Sequence, residues 1–65
     1  MNKPITLIAG AYVGSHVKIL KGAPESLEGR GGEILSEDYF KDLAAVLVQT
    51  TTGRYWIHPD YLRLI

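Results

Sequence analysis

The segment Val46-Leu-Val-Gln-Thr-Thr-Thr-Gly53-Arg-Tyr-Trp-Ile-His58-Pro59 constrains the fold more than any other part of the chain. Its first half is rich in β-branched residues, which lose side-chain freedom in a helix and pack well on a pleated surface. Gly53 then supplies a tight turn, Arg54–His58 returns as a second strand, and Pro59 removes a backbone donor and fixes φ. Pro59-Asp60-Tyr61-Leu62 reads as one helical turn, followed by a last short strand, Arg63-Leu64-Ile65.

The N-terminal half repeats the strand signal. His16-Val-Lys-Ile-Leu alternates polar and apolar residues, setting Val17 and Ile19 on one face and His16 and Lys18 on the other. Residues 21–32 hold four glycines and a proline and read as a long ordered loop anchored by Leu27, with a second strand at Glu33-Ile34-Leu35. Ser36–Asp42 has two readings. Ser36 caps a helix whose apolar positions Tyr39/Phe40, Leu43/Ala44 and Leu47 recur at helical spacing, or the stretch is a polar loop with one helical turn. The β-branching that follows favours the loop. Residues 5–9, short, apolar and preceded by Pro4, suggest an edge strand or an arm. The expectation is therefore all-β: one domain over 1–65, with 1–13 as N-terminal strand or arm, five short strands, and a helical turn before the last.

A chain of 65 residues has room for one thin core. The absence of cysteine excludes disulfides, zinc ribbons, thiol nucleophiles and iron–sulfur ligation, and fits a reducing, cytoplasmic setting. No apolar run approaches the roughly 18–20 residues of a membrane span. Met1–Ala11 carries an Ala-x-Ala triplet, but the apolar stretch before it falls short of the roughly 7–15 residues of a signal peptide, so it is assigned to the mature fold. Net charge is zero, which argues against strongly basic nucleic-acid binding. The charge is nevertheless polarised, −4 over residues 25–42 and +4 over the rest. A basic strand face is one consequence; solvated acidic loops are the simpler one.

Two motifs carry family resemblances. Gly14-x-x-Val17-x-Ile19-x-x-Gly22, followed by Gly29-Arg30-Gly31-Gly32-Glu33-Ile34, resembles the KOW element of ribosomal and transcription-elongation proteins, with a loop lengthened by Ala23–Ser26 and carrying Glu25 and Glu28. Trp56-Ile57-x-Pro59-x-x-Leu62 is similar to the strand, helical turn and strand that end many SH3-like barrels. The type II, plasmid-borne dihydrofolate reductases, themselves SH3-like, share Gly14-x-x-Val17-x4-Gly22 and Gly53-x3-Ile57-x-Pro59. Their catalytic strand matches Tyr55–His58 only at Ile57, and their catalytic lysine falls on Ile19, so the resemblance implies the barrel without the reductase activity. The KOW resemblance implies contact with RNA, DNA or a ribosome or polymerase complex through Lys18, Lys21, Arg30 and Arg54.

Catalytic chemistry finds little support. His16 and His58 stand at outward positions without a Cys or second His at metal spacing, and Asp60 is the only acid near His58. Ser15 and His16 are adjacent and so point to opposite faces of a strand. The carboxylates lie in polar stretches that do not drive their pKa values apart. No catalytic, metal or cofactor site is expected, and a pore built by oligomerisation is the remaining enzymatic reading. Trp56 is the singular residue. With Tyr55 and Ile57 inward, Arg54, Trp56 and His58 turn outward, and the paired strand sends Ala45, Leu47 and Gln49 outward once Val46 and Val48 are core. An exposed Leu47/Trp56 patch beside Arg54 and His58 suggests a protein-docking face for an adaptor or regulatory module, or for a homo-oligomer, most simply a dimer. In the inverted register Trp56 is instead the core tryptophan.

Overall fold

The structure, a computed structural model, describes residues 3–65 apart from the side chain of Glu25; Met1 and Asn2 of the expected arm lie outside it. Five strands, β1 (His16–Ile19), β2 (Gly31–Phe40), β3 (Leu43–Thr50), β4 (Gly53–Ile57) and β5 (Leu62–Leu64), form one antiparallel sheet in the order β4-β3-β2-β1-β5. A 3₁₀ turn, Pro59–Tyr61, stands before β5, and a second, Pro24–Ser26, lies in the long loop. The fold is all-β.

The two edge strands, β4 and β5, are joined by only one helical turn, so the sheet has to curl for the chain to pass from one edge to the other. Ile57 at the end of β4 and Leu62 at the start of β5 accordingly share one core with Val17, Ile19, Ile34, Val46 and Val48. Period-2 alternation places these side chains. Val17 and Ile19 are fully buried while His16 and Lys18 are exposed, and Leu62 is buried while Arg63 is exposed. Leu27 closes the core from the long loop. Thr50 fixes the β3–β4 turn: its hydroxyl donates to the Gly53 carbonyl at 3.1 Å and accepts from the Thr52 amide at 3.2 Å.

The reading of residues 36–42 as a loop with a helical turn is corrected. β2 extends to Phe40, Ser36–Phe40 pair with Leu43–Leu47, and Lys41 and Asp42 alone make the turn at φ 47° and 72°. Both central residues at positive φ give the hairpin turn whose twist matches that of the strands. The helical spacing of Tyr39/Phe40 with Leu43/Ala44 arises from two strands reversing over two residues. Antiparallel pairing with β3 gives the backbone of 36–40 partners along one side, while Asp38 and Tyr39 are exposed and Glu37 reaches the N-terminal arm.

Residues 3–13 form an arm folded on itself; no strand spans 5–9. Pro4 and Tyr12 make an isolated antiparallel bridge, the Ile5 amide donates to the Ala11 carbonyl at 3.0 Å, and the Val13 amide donates to the Lys3 carbonyl at 2.7 Å. Ile5 and Ala11 are buried, and Leu7, Ile8 and Val13 pack beside them, so the apolar stretch of the arm serves this chain's own core.

Candidate protein-docking face

Directly opposed residues of an antiparallel pair point to the same side of the sheet, so the register fixes the outer face. Val46 faces Ile57 and Val48 faces Tyr55 on the core side; Leu47 faces Trp56 and Gln49 faces Arg54 on the solvent side. On the other flank of β3, Leu47 faces Ser36, Ala45 faces Asp38 and Leu43 faces Phe40. A β-bulge at Leu35 makes this possible. Ile34 opposes core Val48, yet Ser36, two residues on, opposes outer Leu47, so the bulge inverts the phase of β2 and turns Phe40 outward.

The result is an aromatic clasp. Phe40 on β2 and Trp56 on β4 meet edge to face, ring centroids 5.1 Å apart and planes at 80°. Between their levels on β3 lies Ala45, only 8% exposed although it faces outward. It points outward as expected, and its methyl is small enough for two rings to meet above it. Trp56 is 44% exposed, Phe40 45% and Leu43 65%, with Leu47 half-buried beside them.

Polar side chains frame this apolar strip. Arg54 donates through Nε to the Gln49 side-chain oxygen at 3.0 Å, which holds its guanidinium along the β4 margin. His58 accepts from the Asp60 amide on Nδ1 at 3.1 Å, so its ring proton sits on Nε2, and the Asp60 carboxylate lies 3.6 Å from the same Nδ1. Glu33 and Asp38 are exposed along the β2 margin, where the Asp38 carboxylate accepts from the Tyr39 amide at 2.7 Å. Of the four residues expected to dock a partner, Leu47, Arg54 and Trp56 therefore occupy one face, whereas His58 lies just beyond β4 and caps the Pro59–Tyr61 turn, its ring 6.3 Å from that of Tyr61. The sequence reading missed Phe40, and only the bulge, which leaves no mark in the hydrophobic pattern, turns it outward.

The basic residues divide differently. Lys18 on β1 stands directly opposite Arg63 on β5 and Gly31 on β2, with exposed Lys21 and Arg30 at the adjoining end of β1. Arg54 is separated from them by β2 and β3. Lys18, Lys21 and Arg30 thus gather with Arg63, which the sequence did not single out, and not with Arg54.

Elsewhere, His16 is exposed opposite Glu33, and the Ser15 hydroxyl accepts from the Tyr12 amide at 3.0 Å. Among the described residues no three His, Cys, Asp or Glu side chains converge, and no helix is long and apolar enough to cross a membrane. A shallow hollow between arm and sheet is bounded by Lys3, Ile5, Val13, Leu35 and Glu37. At its rim Glu37 accepts from the Thr6 amide (2.9 and 3.0 Å to its two oxygens), the Leu7 amide (3.0 Å) and the Thr6 hydroxyl (3.2 Å). Burial pushes its pKa up, but these donors, aided by the charge of Lys3, outweigh that and hold it below the usual value. The chain matches no known family model, no curated protein and no solved structure.

Proposed function

We propose that this chain is a non-catalytic interaction module, an SH3-like barrel acting as a cytoplasmic adaptor or regulator, whose outer β2–β3–β4 face docks a protein through Leu47, Arg54, Trp56 and His58. The observation that carries this reading is the exposed Phe40/Trp56 pair. The chain has one phenylalanine and one tryptophan, and leaving both rings and Leu43 exposed on one outer face forgoes burial that folding needs. Tryptophan and arginine side by side are also the residue types that dominate interface energetics. The strand order β4-β3-β2-β1-β5, with a 3₁₀ turn between the edge strands, supports the barrel.

The test compares the proteins retained by the tagged chain with those retained by its Trp56→Ala form, folding being checked by circular dichroism. A folded variant that loses a partner supports the reading. A folded variant that retains every partner overturns it.

The cross-strand pair Lys18–Arg63 favours a second reading, KOW-like contact with nucleic acid, ribosome or polymerase complex through Lys18, Lys21 and Arg30. Like charges placed directly opposite are destabilising unless an anion lies between them. Fluorescence anisotropy with RNA and DNA separates the two readings, because phosphate contacts make affinity fall steeply with salt whereas an apolar face does not.

A further inference from the structure

We infer that the occupant of the outer face is a second copy of this chain, packed about a two-fold axis that runs along β3. This rests on the face being a docking surface, and it adds the partner and the geometry. The argument is charge and shape complementarity of the face with itself. Its β2 margin is acidic, with Glu33 and Asp38 exposed, and its β4 margin carries exposed Arg54. The register puts the opposite charges on one rung: Glu33 and Arg54 both flank Gln49 of β3.

A two-fold axis parallel to β3 exchanges the two margins and preserves the rung. Glu33 then lies over Arg54 of the second copy, and the contact occurs twice, as an isologous interface requires. The polar groups are prepared for this. Arg54 is held through Nε by Gln49, leaving its terminal nitrogens to donate. Sizes match as well. Leu47 lies on the axis against its own copy, and Trp56, opposite Leu47 on β4, falls over Ser36, opposite Leu47 on β2, so the largest side chain meets a small one. Face-to-face sheets with nearly aligned strands are an established packing mode.

The test is sedimentation over a range of concentrations with charge-reversed variants. The wild type is expected to dimerise, and Trp56→Ala to weaken the dimer at least about 30-fold. Arg54→Glu alone and Glu33→Arg alone each place like charges together twice and should sediment as monomers. Mixed, they restore both attractions and should form a one-to-one heterodimer, a rescue specific to this symmetry. Glu33 and Arg54 are exposed, so this pair decides the matter even if Trp56→Ala fails to fold. A monomeric wild type at hundreds of micromolar, a dimer indifferent to both reversals, or a mixture that stays monomeric overturns the inference. In each of these cases loss of another bound protein on Trp56→Ala would still support the docking face, so the two readings fail separately.

Discussion

Phe40 and Trp56 make their contact across a strand that belongs to neither, meeting over Ala45 of β3 with ring centroids 5.1 Å apart. Each ring covers the other and both cover the methyl beneath, so the pair is half structure and half surface. Edge-to-face aromatic pairs contribute about 0.5–1.5 kcal/mol beyond their burial. Phe40→Ala and Trp56→Ala should each leave the chain folded and cost about 1–2 kcal/mol, with a coupling of about 0.5–1.5 kcal/mol in the double-mutant cycle. Urea unfolding at one fixed protein concentration measures this. A loss of about 3–5 kcal/mol for Trp56→Ala would instead be that of a core tryptophan.

Gly32 is held by close approach. A Cβ there would overlap Val48 Cγ1 and lie 2.7 Å from the Gln49 carbonyl oxygen, and a backbone atom inside the sheet cannot swing aside. Gly32→Ala is expected to cost about 3 kcal/mol or more and to leave little folded protein at room temperature. Gly29→Ala is the control. A Cβ there meets nothing within 4 Å, and the cost is that of φ 85° alone, about 1–2 kcal/mol. Equal losses at the two sites would refute the close-approach account.

The strands on either side of Gly53 and the outward register of Trp56 were legible because alternation there is unbroken and a glycine marks the turn. The β2–β3 hairpin was not. Its turn is Lys41-Asp42, without glycine or asparagine, and the bulge at Leu35 shifts the phase of β2, so that no single period describes 31–40. The like-charged opposition of Lys18 and Arg63 was hidden for another reason: it depends on which strands become neighbours, and β1 and β5 are far apart in sequence.

That turn yields its own prediction. Lys41 and Asp42 occupy positive φ, where asparagine and glycine are favoured and a side-chain-bearing residue costs about 1–2 kcal/mol. The double substitution Lys41→Asn/Asp42→Gly should raise stability by about 1 kcal/mol, read as a higher urea midpoint at unchanged slope. A lowered midpoint would mean that the two side chains make contacts outweighing their backbone strain.

Glu37 ties the arm to the β2–β3 hairpin, since its carboxylate accepts from the amides of Thr6 and Leu7, some thirty residues away in sequence. Its folded pKa is lowered from 4.5: burial acts to raise it, and the Thr6 and Leu7 donors and Lys3 act more strongly to lower it. A depressed carboxylate pKa stabilises the fold above the unfolded pKa, and that contribution is lost as pH falls through the folded one. The wild type should therefore be more stable than Glu37→Gln at neutral pH, where the ionised group accepts more strongly than a neutral amide oxygen. The gap should narrow as pH falls through the lowered folded pKa and the carboxylate takes up its proton. Urea unfolding of the two proteins across a descending pH series reads this directly. A gap that stays constant with pH would show that Glu37 acts through shape rather than charge, whereas a closing gap together with faster amide exchange at Thr6 and Leu7 in the variant would locate the effect in the arm.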